Sequence, residues 1–156
     1  MKSRVTVIIT MILSLIAAAM CLTACGGPEP VPGVLRDDGV MLSLSSASGE
    51  CMTLEEYEAS IRHYEVFYDG RAVDMRSGRE AALSESDLQK LKDYADGIRR
   101  GSVRIKKTDG ADLPSFSASA FDEEGREYML DTSHNGFIDG FEDIRSILIG
   151  YFPEQQ

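Results

Sequence analysis

Residues 5–22 contain no charged side chain and follow directly on Lys2 and Arg4. This run divides the chain before any fold is considered. A transmembrane helix needs about 20 predominantly apolar residues, and here Thr6, Thr10, Ser14 and the weakly apolar Ala17-Ala18-Ala19 dilute the stretch. It reads as the apolar core of an export signal behind a basic flank. Folding then concerns the chain beyond residue 24.

The run ends in Leu22-Thr23-Ala24-Cys25, an aliphatic residue, two small residues and a cysteine. This resembles the lipobox of bacterial lipoproteins. The resemblance implies a signal peptide over 1–24, cleavage after Ala24 and a diacylglyceryl thioether on Cys25, with acyl chains of the palmitate class. The expected address is a cell membrane, lipid-anchored on the extracytoplasmic side. Cys21 is the poorer acceptor, because Met20 stands where a small residue is wanted. Each buried methylene contributes about 0.8 kcal/mol, so several acyl chains make anchoring effectively permanent.

Loss of Lys2 and Arg4 from the 16 basic residues leaves 14 against 26 acids, a formal charge of −12 over 132 mature residues. That opposes nucleic acid and anionic head groups as partners. The length suits one domain with one core. With Cys25 acylated, Cys51 is the remaining thiol, so no internal disulfide is expected even in an oxidising compartment. Gly26-Gly27-Pro28-Glu29-Pro30-Val31-Pro32-Gly33 reads as an extended tether. The expected division is a tether over 25–39, with a reach of about 50 Å, and a single domain over 40–156.

Within that domain, alternation of Val40, Leu42 and Leu44 predicts a short strand, broken by Ser45-Ser46-Ala47-Ser48-Gly49. Residues 57–68 are aromatic and β-branched and predict a strand from about Tyr57. Thr53-Leu54-Glu55-Glu56 competes with that reading, since it has the form of a capping box. Asp69-Gly70 predicts a type I′ hairpin turn. Residues 84–100 predict a helix capped by Ser84, with Leu88, Leu91, Ala95 and Ile98 on one face. A strand with a basic exposed face comes next at Val103 and Ile105. A second hairpin runs from Phe116, Ala118 and Ala120 through Asp122-Glu123-Glu124-Gly125 to Tyr128 and Leu130. A last helix spans 140–152 and stops at Pro153. The expected fold is α+β, an antiparallel sheet of two hairpins plus a short strand with two helices packed on one face. The element order is also similar to that of small uncharacterised bacterial lipoproteins, a likeness that carries no function.

Residues 131–142 resemble the twelve-residue EF-hand loop. Asp131, Ser133, Asn135, Phe137 through its carbonyl, Asp139 and Glu142 stand at the ligand positions, with Gly136 at the turn. Ser133 replaces a more usual Asp or Asn, Asp143 an apolar residue, and the strand-like 126–130 leaves little room for an entering helix. The plainer reading is a polar turn whose acids complement the last helix dipole.

Arg99, Arg100, Arg104, Lys106 and Lys107 form a basic group that reads either as a patch for an anionic partner or as a helix end beside a charged edge strand. Cys51, His63 and His134 have no nucleophile motif around them. The resulting expectation is a non-enzymatic binding module whose partner is an envelope protein, peptide or glycan. It needs no cofactor. The alternative is a module binding Ca²⁺ through 131–142, and the third is an envelope hydrolase.

Overall fold

The computed structural model describes residues 29–32, 35–50, 53–108 and 113–153. The lipobox with Cys25, and also Cys51, lie outside the described residues. Among those described, no helix is long and apolar enough to cross a membrane.

The domain is α+β. Among the described residues, eight strands and three helices succeed one another as β1 (Val40–Ala47), α1 (Leu54–Ser60), β2 (Arg62–Phe67), β3 (Arg71–Asp74), β4 (Arg79–Ala82), α2 (Glu85–Arg99), β5 (Ile105–Lys107), β6 (Ser115–Phe121), β7 (Glu127–Asp131), β8 (Gly136–Ile138) and α3 (Phe141–Tyr151). Six strands form one sheet in the order β4-β3-β2-β1-β6-β7, each pair antiparallel, and β5 with β8 makes a separate two-stranded sheet.

The strand alternation decides which residues meet the helices. Leu42 and Leu44 of β1, Tyr64 and Val66 of β2, Ala72 of β3 and Phe116, Ala118 and Ala120 of β6 join Leu91, Ala95 and Ile98 of α2 and Ile144 and Leu148 of α3 in one buried cluster. A register shift between Val40 and Leu42 turns Val40 to the opposite face, where it packs with Phe67, Val73 and Phe121. Tyr94 of α2 is also buried, and among the described residues its hydroxyl finds no hydrogen-bond partner. Burial pushes its phenol well above the usual range. Tyr94→Phe is therefore expected to raise stability by about 1 kcal/mol, read as a higher urea midpoint; a lower midpoint would contradict this account.

Several expected elements stand as read. Ser84 caps α2 by accepting from the Asp87 amide at 3.2 Å, and α3 ends at Tyr151 with Phe152 as its C-cap. The hairpin through residues 122–125 joins β6 to β7. Other elements differ. The segment from Tyr57 to Ser60 is the end of a helix, because both bonds of the capping box form: Thr53 Oγ1 accepts from Glu56 N at 3.1 Å and Glu56 Oε2 from Thr53 N at 2.9 Å. β1 continues through Ser45–Ser46–Ala47, held between β2 and β6. The turn at Asp69-Gly70 is a three-residue connection in which only Gly70 has positive φ, at +89°, rather than type I′. β4 and β8 add strands to the expected set, and β5 pairs with β8 instead of entering the main sheet.

The second half of the stretch read as tether is bonded to the domain. Val31 N donates to Glu127 O at 2.8 Å, Leu35 bridges Arg126, and Arg36 N donates to Gly125 O at 3.0 Å. The Arg36 guanidinium pairs with Glu65 at 2.7 Å, grips Asp38 and lies 5.3 Å from the Phe121 ring centroid. Hydrogen bonding from Arg36 holds the Asp38 carboxyl below its ordinary range.

Candidate functional site

The loop weighed as a calcium site connects β7 of the main sheet to β8 of the two-stranded sheet. The Asp131 carboxylate accepts from Ser133 N at 2.8 Å, and Ser133 and His134, at φ +47° and +64°, form a turn closed by Asn135 N on Thr132 O at 3.0 Å. Phe137 lies in β8 opposite Lys106, with its ring 5.8 Å from that of Phe116. The Asp139 carboxylate pairs with Lys106 at 2.5 Å, and Glu142 with Arg145 at 2.7 Å. Gly136 has a different task from the turn glycine of a calcium loop: a Cβ there would lie 2.5 Å from Lys106 O, so glycine lets β5 approach. The six candidate ligands are thus spread over a strand end, two turns, a strand and a helix. Among the described residues no three of His, Cys, Asp or Glu gather as a metal site.

The basic group is largely engaged within the fold. Arg99 pairs with Asp96 and donates to Tyr68 Oη at 3.2 Å and Phe121 O at 3.3 Å. Arg100 reaches Asp96 at 3.5 Å, Arg104 donates to Gly101 O at 3.3 Å, and Lys106 holds Asp139. Lys107 is exposed at the end of β5. Arg100, Arg104, Lys106 and Lys107 are nonetheless exposed.

His63 lies on the sheet face away from the helices. Its Nε2 is 2.9 Å from Ser43 Oγ and 3.9 Å from Glu65 Oε1. A serine, an imidazole and a carboxylate therefore meet, but not in the order that acyl transfer needs. The carboxylate approaches the same nitrogen as the serine, so it does not orient the ring through Nδ1. Glu65 is also committed to Arg36. Ser43 sits on a strand hydrogen-bonded on both sides, opposite Glu65 and Ser119, which leaves no backbone N–H to stabilise an oxyanion beside it. His134 Nδ1 donates to Leu113 O at 3.0 Å, far from this cluster in the chain.

A cleft of about 590 Å³ opens where β2, the β3–β4 turn and the end of α3 meet, lined by Arg62, Tyr64, Asp74, Arg76, Ser77, Arg79, Phe152 and Pro153. Tyr64 and Phe152 stack at 5.9 Å beside it. The Arg79 guanidinium lies 5.8 Å from the Phe152 ring and donates to Pro153 O at 3.0 Å. Arg76 donates to Ala59 O, and Arg62 to Ala59 O at 2.9 Å and Ile61 O at 3.1 Å. The Asp74 carboxylate is turned to its own hairpin turn, accepting from Ser77 Oγ at 2.6 Å and Arg76 N at 3.1 Å. None of these cleft residues figures in the loop or the basic group read from sequence. Arg62, Arg76 and Phe152 are far apart in the chain, and only the pairing of β2 with β3 and the end of α3 bring them together. A weaker signal was present in Arg76-Ser77-Gly78-Arg79, two arginines flanking a turn in an acidic chain.

No protein-family model matches this chain, and no curated protein and no solved structure resembles it at a significant level.

Proposed function

We propose that this chain is a lipoprotein whose single domain is a non-enzymatic binding module, held on the extracytoplasmic side of a membrane by a lipid on Cys25. The address rests on Leu22-Thr23-Ala24-Cys25 behind an uncharged run. The choice of binding over turnover rests on one observation. Among the described residues the hydroxyl–imidazole contact of Ser43 and His63 has neither an orienting carboxylate on Nδ1 nor oxyanion donors, while the arginine-lined cleft offers groups suited to recognition. An envelope protein, peptide or glycan fits as partner. The formal charge of −12 on the mature chain opposes nucleic acid.

Two measurements test this reading. Mass spectrometry of the membrane fraction should find residues 1–24 removed and Cys25 carrying a diacylglyceryl mass, with Cys25→Ala abolishing both the modification and membrane retention. Recovery of the wild type with residues 1–24 attached would overturn the anchor. Hydrolysis of an ester or peptide panel that disappears in Ser43→Ala would overturn the binding role.

A further inference from the structure

We infer that the cleft between the β3–β4 turn and the end of α3 is a phosphate-binding site, with Arg76 and Arg79 as its principal ligands. The inference rests on the reading of the domain as a binding module and names the chemistry that module recognises. Its first support is a contrast among the arginines. Arg36, Arg71, Arg99, Arg100, Arg126 and Arg145 each pair with a carboxylate. Arg76 and Arg79 pair with none among the described residues; Arg104 shares this but lies outside the concavity that Arg76 and Arg79 line together. The chain holds 26 acids against 16 bases, so carboxylates are not scarce. Among the described residues lining the cleft, Asp74 brings the carboxylate, and it accepts from Ser77 Oγ and the Arg76 amide and not from either guanidinium.

The second support is how the two guanidiniums are held. Each spends one nitrogen on a backbone carbonyl, Ala59 O for Arg76 and Pro153 O for Arg79. A guanidinium carries five N–H donors in a planar fork. Docking one nitrogen restrains the side chain and leaves the others for a ligand, which lowers the entropy lost on binding. Arg79 is further fixed against the Phe152 ring at 5.8 Å. Two restrained forks facing one space match a tetrahedral oxyanion that accepts several charge-assisted bonds.

A cleft of about 590 Å³ exceeds what a bare phosphate fills, so the group belongs to a larger molecule. A soluble phosphate ester and a phosphodiester polymer share this chemistry and differ in source.

The test uses the full chain purified in detergent and isothermal titration with four probes: inorganic phosphate, glucose 6-phosphate, poly(glycerol phosphate) and oligogalacturonate, with glucose as the uncharged control. Binding is expected for the phosphate esters and not for glucose. The sugar phosphate binding more tightly indicates a soluble ligand, and the polymer binding more tightly an envelope one. Arg76→Gln and Arg79→Gln should each weaken it at least about tenfold, with Arg104→Gln unchanged. Equal melting temperatures would show that the variants fold. No heat with any phosphate probe, binding of oligogalacturonate alone, or affinity unchanged in the double variant would overturn the assignment. Such a failure is distinct from failure of the anchored-module reading, which is judged from the mass at Cys25.

Discussion

Gly125→Ala should destabilise the domain by about 3 kcal/mol and open the segment before β1 to proteases. Gly125 has φ +77°, and a Cβ there would lie 1.9 Å from Arg36 O. A left-handed backbone costs an alanine about 1–2 kcal/mol by itself. The overlap adds to this, because its partner is backbone carbonyl and not a flexible side-chain end. Relief requires Arg36 to move away, which breaks the bond from its amide to Gly125 O and draws its guanidinium from Glu65, a carboxylate whose side chain is 7% exposed. Denaturant unfolding gives the energy, and limited proteolysis reports cleavage within residues 35–39. A wild-type midpoint with an unchanged cleavage pattern would show that the N-terminal segment is not held in this way.

The second large effect is expected in the core. Leu148 of α3 is 0% exposed and packs in the cluster that joins the sheet to α2 and α3. Leu148→Ala should cost about 3 kcal/mol, combining lost burial with the cavity left behind. Ile147, one position earlier and only partly buried against that cluster, should cost less than half as much on truncation to alanine. Both energies come from urea midpoints at an unchanged slope. Equal costs at the two positions would mean that α3 does not present the face described.

What the sequence disclosed depended on whether an element is specified locally. Ser84 and the spacing of Leu91, Ala95 and Ile98 define α2 without reference to the rest of the chain, and that helix stands where its cap and stripe put it. At α1 two local signals conflicted. The reciprocal bonds of Thr53 and Glu56 prevailed over the aromatic, β-branched composition, in a helix with no buried residue to arbitrate. β4 was illegible for the opposite reason. Arg79-Glu80-Ala81-Ala82 has the composition of a helix, and its strand form comes from pairing with β3. β8 was concealed inside a pattern that explained its glycine differently. Gly136 is required by the approach of Lys106 O, a contact across 30 residues that no spacing rule discloses. The cleft is legible least of all, since Arg62, Arg76, Arg79 and Phe152 meet only through tertiary structure.

The bonds of Val31, Leu35 and Arg36 along the second hairpin bear on the mechanics of the proposed attachment. From Cys25 to Val31 the chain has six residue steps, which extend to about 20 Å at most. On the proposed anchoring, a lipid on Cys25 would act as a short mooring instead of a long leash. That mooring would keep the hairpin edge beside β7 toward the bilayer, curtail rotation, and limit capture to molecules lying within a few nanometres of the head groups.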